Sequence, residues 1–266
     1  MQGKPTAQLR GSWHNFSKYR PLIRELVTRD LKVKYRRSFL GYVWSILNPL
    51  LMMLLQTLVF SYMFRFQIEN FPLYLICGNT LFNFFNESTN MGMGSVLGNS
   101  SLIKKVYVPK FIFPISRVVS SFVNLLFSLA AIILVMLITR SPFHLTILLV
   151  WAPLVLLFLF TCGIALLLSA LAVYFRDLQY LYSIVTMAWM YATPLFYPIS
   201  ALPPFMVAIV KLNPLYHYIN CMRCLVMYGT VPGPNTWFAC IVCAVGVMVV
   251  GLAAFRKLQR NFILYL

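Results

Sequence analysis

Two cysteine pairs are the first candidates for chemistry in this chain. Two residues separate Cys221 from Cys224 and Cys240 from Cys243, and fifteen residues lie between the pairs. That spacing is typical of a zinc ribbon. The second pair, however, lies in an apolar stretch without the glycine and polar residues that shape a metal-binding turn. We therefore predict packing thiols and no metal, with a disulfide from the first pair as the remaining alternative.

Groups that could support catalysis are few and scattered. The 266 residues include five acidic side chains and three histidines, and no two of them flank a plausible buried site for acid–base or nucleophilic chemistry. The sequence also has no G-x-x-x-x-G-K-[ST] loop to hold nucleotide phosphates. We predict that the chain is not an enzyme and carries no cofactor of its own. A membrane-bound sugar or acyl transferase would need a paired-acid or histidine site.

Glu87 is the one acidic side chain well inside a long apolar segment. A proton or ion site is one interpretation, because ionisable groups in membrane segments mark transport pathways. The other interpretation, which we favour, is a hydrogen-bonded structural role beside Asn79, Asn83, Asn86 and Asn90.

Basic side chains are concentrated at the N-terminus, where ten Lys and Arg residues fall within the first 41 positions. Residues 15–40 place apolar side chains near one face of a helix and basic side chains around the other, which is the pattern of an amphipathic helix in a membrane interface. Two roles are open for the cluster at its end: binding a diphosphate headgroup, or anchoring to anionic lipid. The residues of this cluster are Arg29, Lys32, Lys34, Arg36 and Arg37.

The composition indicates a membrane protein. Hydrophobic residues make up 61% of the chain, and the mean hydropathy is +0.80. A chain of this composition has more apolar surface than a soluble core of its size could hide. The apolar content outweighs the net charge of +17, so we expect no nucleic-acid partner. A bilayer core of about 30 Å needs about 20 apolar residues per helix. We predict six spans at 42–65, 71–93, 111–139, 145–174, 178–197 and 236–255.

The distribution of positive charge predicts the orientation. If both termini lie in the cytoplasm, eighteen of the 22 Lys and Arg residues fall on the inner side. The outer side keeps Arg65, Arg140, Lys211 and Arg223. Cytoplasmic loops are enriched in Lys and Arg, and removing one span would exchange the sides of every later loop, so the charge distribution favours six spans.

The stretch 198–235 is rich in proline and follows many aromatic residues. Proline breaks helices, so we predict short helical pieces that dip into the outer membrane interface. The aromatic residues have two interpretations: an interfacial belt, or a channel lining on which sugar rings stack. The candidates for such a lining are Tyr180, Tyr182, Trp189, Tyr191, Tyr197, Tyr216 and Tyr218.

Five segments, in order along nearly the whole chain, together resemble one protein family. They are RDLKVKY at 29–35 with LGYVW at 40–44 and Pro49; LIKKV at 102–106 with Pro109 and Pro114; FRDL at 175–178; TPLFY at 193–197; and LNPL at 212–215 with Arg223. This set resembles the membrane subunits of type-2 ABC exporters, in the branch that exports lipid-linked polysaccharides such as O-antigen, capsule and teichoic acid.

The resemblance implies an all-α integral membrane fold in one domain. Residues 1–41 would form a cytoplasmic interface segment whose amphipathic helix is a gate or a lipid-entry element. Residues 42–255 would form the six-span core, with outer re-entrant helices at 198–228, and 256–266 a cytoplasmic tail. A cytoplasmic helix within 98–110 would dock on the ATPase through Leu102, Ile103, Lys104, Lys105, Val106 and Tyr107. We also predict a structural ion pair between Arg176 and Asp177. The tail lacks the acidic residues expected in the family, so we predict no firm role for it in ATPase contact.

The function that the resemblance implies is transport in the bacterial cytoplasmic membrane. Two copies of the chain would form a channel, and two copies of a separate P-loop ATPase would bind ATP and Mg²⁺. The expected cargo is a polyprenyl-diphosphate-linked polysaccharide, with anionic lipid as a further partner. Two alternatives are a drug or lipid exporter of the same family and a secondary transporter or channel, which would need more intramembrane ionisable groups than Glu87.

Overall fold

A computed structural model describes residues 6–36, 39–63, 68–106 and 108–265, and within these ranges the regular structure is entirely helical. The α-helices are α1 Thr6–Tyr35, α2 Trp44–Met63, α3 Phe71–Met93, α4 Ser95–Gly98, α5 Ser100–Lys105, α6 Ile112–Ile138, α7 Trp151–Tyr174, α8 Leu178–Ala192, α9 Pro204–Leu212, α10 Pro214–Val226, α11 Pro234–Leu258 and α12 Phe262–Tyr265. Short 3-10 helices occur at Gly41–Val43, Leu145–Val150, Ile199–Ala201 and Gln259–Asn261.

Local sequence fixes several of the helix ends. Asn70 and Asn213 cap α3 and α10, because their side-chain oxygens accept hydrogen bonds from the backbone N–H groups of Leu73 (3.4 Å) and Leu215 (3.0 Å). Helices α9, α10 and α11 each have a proline in their first turn, where its missing N–H costs nothing.

Helix α3 lies at the centre of the bundle and contacts α2, α6, α7, α8 and α10. Its ring of Phe85 packs between two aromatic partners, with centroid distances of 5.8 Å to Phe160 of α7 and 5.1 Å to Trp189 of α8. Burial of these rings joins three helices in one apolar core. The central position of α3 means that its polar residues face neighbouring helices or the clefts between them.

Helices α7 and α11 cross at two glycines. A Cβ atom on Gly251 would overlap the carbonyl oxygen of Gly163, and a Cβ on Gly163 would lie 2.5 Å from the carbonyl oxygen of Val247. Small residues let helix backbones approach this closely, and in membranes such approach is a main source of helix association. The crossing therefore requires glycine at both positions.

The two ends of the bundle differ in chemistry. At the basic end, Lys110 Nζ donates to the carbonyl oxygen of Gln259 (2.9 Å) and Tyr174 Oη donates to that of Leu258 (2.8 Å). These bonds attach the turn after α11 to the residues just before α6 and to the end of α7. Burial lowers the pKa of Lys110. The opposite, proline-rich end comprises α9, α10 and the turns around Asn70 and Ser141.

Four helices of the described chain are long and apolar enough to cross a membrane: Gly41–Ser61, Ile112–Ile138, Leu145–Tyr174 and Pro234–Asn261. The all-helical, multi-pass membrane architecture is thus confirmed. Helix α3 starts and ends where the second span was predicted, and it has the length, but its polar residues keep it out of this set.

The predicted fifth span is shorter than expected. Helix α8 ends at Ala192, not at 197, because Thr193 is extended (φ −99°, ψ 131°) ahead of Pro194. Its 15 residues measure about 22 Å at about 1.5 Å per residue. The stretch 198–235 forms helical pieces, α9 and α10, as predicted.

Replacing Gly251 by alanine tests the helix crossing. We expect Gly251→Ala to lower the free energy of unfolding in detergent by about 1–3 kcal/mol, because the methyl group forces α7 and α11 apart. Gly246→Ala is the matched control, since a Cβ there meets nothing within 4 Å and alanine favours helix. Equal thermal unfolding midpoints for the two variants would contradict the crossing.

Candidate functional site

Two ion pairs hold α1 against the bundle. Asp30 Oδ1 lies 2.8 Å from Arg117 Nη1 of α6, and the Asp30 side chain is only 4% exposed. One turn further along α1, Lys34 Nζ lies 2.7 Å from Glu87 Oε1 of α3. Ser120 Oγ donates to the second oxygen of Asp30 (3.4 Å). Helix α1 therefore packs on α6 through the buried carboxylate of Asp30 and through apolar residues such as Leu26. It meets α3 at Glu87.

Glu87 is a shared acceptor. Besides Lys34, its Oε1 accepts hydrogen bonds from Asn124 Nδ2 (3.2 Å) and Ser121 Oγ (3.5 Å) of α6. The favoured interpretation of Glu87 as a hydrogen-bonded residue agrees with this geometry. Its partners, however, come from α1 and α6, whereas the predicted neighbours are the asparagines of its own helix.

Three of the five predicted headgroup residues line one cavity. Arg29, Lys32 and Arg36 surround a cavity of about 670 Å³ between α1 and the turn at Gly41 and Tyr42. We call it the cationic cavity; Glu25, Thr28 and Val33 complete its lining. Lys34 points instead toward Glu87, and Arg37 lies outside the described residues. Whether these side chains bind a headgroup or anchor to lipid stays a prediction.

A second cavity, of about 710 Å³, lies between α1, α2, α3 and α6 and shares no lining residue with the cationic cavity. Side-chain amides dominate its polar lining, so we call it the carboxamide cleft. Its asparagines are Asn48, Asn83, Asn86, Asn90 and Asn124, joined by Lys34, Glu87, Ser45 and Ser128, with Trp44, Pro49, Met52 and Met91 as the apolar lining. Toward the proline-rich end, Asn79 Nδ2 donates to Gln56 Oε1 and continues the line of carboxamides.

At the proline-rich end, the buried guanidinium of Arg223 binds carbonyl oxygens. Its Nη1 donates to Pro194 (2.8 Å), and its Nη2 donates to Tyr74 (3.2 Å) and Leu195 (3.3 Å). The guanidinium also lies 3.4 Å from the ring centre of Tyr74, and Gly78 leaves room for it, since a Cβ there would lie 2.8 Å from Nη2. Arg223 thus connects α3, α10 and the break after α8.

The same break is held by Asn213. Trp189 Nε1 donates to Asn213 Oδ1 (2.8 Å), and Asn213 Nδ2 donates to Thr193 Oγ1 (2.8 Å). The hydroxyl of Tyr74 donates to the carbonyl oxygens of Pro194 (3.2 Å) and Tyr197 (2.9 Å). Two motifs that are distant in sequence, TPLFY and LNPL, therefore form one hydrogen-bonded unit with Arg223.

The structure disperses the predicted aromatic lining. Tyr182 and Tyr218 are buried, and their hydroxyls donate to Thr89 Oγ1 (2.8 Å) and the Cys240 carbonyl (2.9 Å). These two residues are therefore packing residues in this structure and do not line an open surface. Trp189, Tyr197 and Tyr216 are half-buried. Tyr180 and Tyr191, at 75% and 62% exposed, are the two that stay available for stacking.

The predicted docking segment forms α5 and the turn after it. Ile103 is buried, Leu102 is half-buried, and Lys104, Lys105 and Val106 are exposed at the basic end. Tyr107 lies outside the described residues. Contact of this segment with an ATPase stays a prediction.

Arg176 and Asp177 lie in the turn between α7 and α8, and both are exposed. The three ion pairs formed by the described residues do not include this pair, so the predicted ion pair is not seen. Instead, the carbonyl oxygen of Asp177 accepts hydrogen bonds from the N–H groups of Tyr180 (3.1 Å) and Leu181 (3.3 Å), which start α8.

The cysteines pack between helices. Cys221 Sγ of α10 lies 3.9 Å from Cys240 Sγ of α11, while Cys224 and Cys243 are half-buried, and all are free thiols. No cluster of metal-ligating residues occurs within the described ranges. Cys221 and Cys240 therefore face each other as buried thiols, in agreement with the packing interpretation.

Sequence reasoning missed the contacts between distant segments, although a signal existed for some. Arg117 is a lone cation near the start of an apolar helix, and Asp30 is a lone acid in a basic segment, so charge complementarity could have paired them. The carboxamide cleft was signalled by Asn79, Asn83, Asn86 and Asn90, which recur at helical spacing on one face of α3.

Long apolar helices packed around a cleft lined by asparagines are the architecture of a multi-pass membrane protein. A family model described as "ABC-2 type transporter" matches residues 21–227. The chain belongs to this family, and the resemblance inferred from the sequence is confirmed.

Named relatives support the same branch. The chain is 32% identical to the O-antigen export system permease protein RfbA of Klebsiella pneumoniae, over 89% of this chain and 92% of the relative. It is 24% identical to the polysialic acid transport protein KpsM of Escherichia coli, over 90% and 93%. It is 22% identical to the capsule polysaccharide export inner-membrane protein CtrC of Neisseria meningitidis serogroup B, over 94% and 95%.

Removing Asp30 tests the attachment of α1. We expect Asp30→Ala to accelerate tryptic cleavage of α1 about tenfold in detergent, because Arg117 loses its partner and α1 opens more often. Glu25→Ala is the matched control, since it removes the same charge from an exposed position of α1. Equal cleavage rates for the two variants would show that the ion pair does not hold the helix.

Replacing Arg223 by lysine tests the proline-rich end. An ammonium cannot reach three carbonyl groups in the geometry of the guanidinium, so we expect Arg223→Lys to reduce the free energy of unfolding by about 2 kcal/mol. The exposed Arg256 provides a control, Arg256→Lys, for which thermal unfolding in detergent should be unchanged. A stable Arg223→Lys variant would count against the role of Arg223.

Proposed function

We propose that this chain forms the membrane pathway of an ATP-driven exporter that moves a lipid-linked polysaccharide across the bacterial cytoplasmic membrane. Relatives named for O-antigen, polysialic acid and capsule export support this class of cargo. The family match covers residues 21–227, which include every residue that lines the cationic cavity and the carboxamide cleft. The polymer would carry a polyprenyl diphosphate, whose headgroup must be bound at the inner leaflet before export.

The observation that carries the proposal is the cationic cavity. Arg29, Lys32 and Arg36 come together on one face of α1, where α1 meets the start of α2. Guanidinium and ammonium groups bind phosphate oxygens through charge-assisted hydrogen bonds. A third cavity, of about 600 Å³, is lined by Arg29 of the cationic cavity and by Lys34 and Glu87 of the carboxamide cleft, and the sugars attached to a bound diphosphate would reach the cleft through it.

The proposed topology has six spans and both termini in the cytoplasm. Helices α2, α3, α6, α7, α8 and α11 would be the spans, which puts the basic end inside and the proline-rich end outside. Helix α8 is too short to cross alone, so α9 and α10 would complete the outer part as re-entrant helices. Two copies of the chain would enclose the pathway with twofold symmetry, the commonest arrangement of homo-oligomers.

The motor would be a separate P-loop ATPase, present in two copies and carrying ATP and Mg²⁺. The exposed side chains of Lys104, Lys105 and Val106 at the basic end offer the docking surface. A secondary transporter has less support, because Glu87 already forms an ion pair with Lys34.

Purification of the tagged chain from its native membranes tests this function. We expect a stoichiometric P-loop ATPase in the eluate, identified by mass spectrometry, with vanadate-sensitive ATP hydrolysis. An intact chain that purifies without such a subunit and does not hydrolyse ATP would contradict the proposal.

Charge reversal in α5 tests the docking surface. We expect Lys104→Glu combined with Lys105→Glu to reduce the copurified ATPase about tenfold, because like charge at a contact weakens binding. Lys257→Glu, an exposed lysine at the end of α11, is the control and should retain the ATPase. Unchanged copurification of the double variant would exclude α5 as the contact.

A further inference from the structure

We propose that the carboxamide cleft binds the sugar rings of the cargo, with Asn48, Asn83, Asn86 and Asn90 as the contact residues. This inference rests on the proposed function and deepens it, because it assigns the sugars to a site separate from the cationic cavity. It also moves sugar recognition from the predicted aromatic lining to the amide-rich face of α3.

The cleft cannot face lipid. Asn83 lies at the middle of α3 and is exposed, as is Asn48 of α2. A side-chain amide in hydrocarbon loses its hydrogen bonds to water at a cost of about 2–7 kcal/mol. Several such amides on one surface therefore require a polar partner beside them: water, a polar ligand or polar groups of another chain.

The geometry suits a polymer. Asn83, Asn86 and Asn90 follow one face of α3 and line the cleft, and the seven residue steps from Asn83 to Asn90, at about 1.5 Å each, span about 10 Å, more than one sugar ring. Asn90 Nδ2 donates to Asn86 Oδ1 (2.7 Å) and orients both amides. The line thus offers repeated contacts along the direction in which a chain crosses the membrane.

The chemistry suits hydroxyl groups. A carboxamide both donates and accepts hydrogen bonds, as a sugar hydroxyl does, while Trp44 and Met52 add apolar surface for the faces of sugar rings. The one carboxylate in the lining, Glu87, is compensated by Lys34, so the cleft is close to neutral. A neutral lining distinguishes it from the cationic cavity, where Arg29, Lys32 and Arg36 fit a diphosphate.

Photo-crosslinking in living cells tests the site directly. The photoreactive residue p-benzoylphenylalanine replaces Asn83 or Asn48, one position at a time. In the control variants it replaces Ile133 of α6 or Phe238 of α11, which are both exposed. After irradiation, the purified chain is oxidised with periodate and labelled with a hydrazide, which detects attached carbohydrate. We expect high-mass labelled adducts at 83 and 48, and none at 133 and 238.

A second pair of variants measures the contribution to export. Asn83→Leu and Asn48→Leu are each expected to slow the appearance of surface polysaccharide about fivefold, the factor for one net hydrogen bond. Asn235→Leu removes an exposed amide at the start of α11, outside the cleft, and should leave export unchanged. Copurified ATPase serves as the check that each variant is assembled.

The outcomes separate this inference from the proposed function. If deletion of the chain abolishes surface polysaccharide but no adduct forms at 83 or 48, the cleft is not the sugar site, while the function stands. A crosslink at 83 to a second copy of the chain, at twice its mass, would likewise overturn the site. If deletion leaves surface polysaccharide unchanged, the proposed function fails and this inference fails with it.

Discussion

The structure depends on one constraint: a polar group buried among apolar helices or in hydrocarbon must find a partner, because apolar surroundings offer none. This chain meets the constraint in three ways. Arg223 uses backbone carbonyls freed by the break at Pro194, and Asp30 and Glu87 use cations from neighbouring helices. The carboxamides of α3 use a cleft. Each solution places polar chemistry where helices meet, and these meeting points are the places where the bundle can act on a ligand.

Helix α1 has a special position because it borders both cavities. One face carries Arg29, Lys32 and Arg36 into the cationic cavity, and the other carries Lys34 into the carboxamide cleft. Its attachment combines two ion pairs with apolar residues such as Leu26, which is buried in one cluster with residues of α6 and α7. The Lys34–Glu87 pair is 40% and 34% exposed on its two side chains, so its contribution is modest.

Much of the fold follows from local sequence. The bounds of the second and third predicted segments, 71–93 and 111–139, agree almost to the residue with the helices α3 and α6, and the helical spacing of Arg29, Lys32 and Arg36 was enough to put them on one face. Lys34 departs from them because it lies two residues beyond Lys32, about 200° around the helix. The end of α8 was missed, although Pro194 and the extended preference of the residue before proline predict it.

Contacts between distant segments were not predictable in the same way. Which helix α1 meets decides that Asp30 pairs with Arg117, and helix packing is not written in local periodicity. The buried tyrosines show the same limit. No feature of the local sequence separates the buried Tyr182 and Tyr218 from the exposed Tyr180 and Tyr191. A tyrosine hydroxyl that finds a partner inside the bundle can be buried, and only the three-dimensional structure shows which ones do.

The most direct test of this account is the solvent exposure of the middle of α3. In native membranes, Asn83→Cys and Ile133→Cys are treated with a membrane-impermeant thiol reagent, and the wild-type chain gives the background from its six native cysteines. We predict labelling above background at position 83 and none at position 133, because water fills the cleft and the outer face of α6 meets lipid. Labelling at 133 with none at 83 would contradict it.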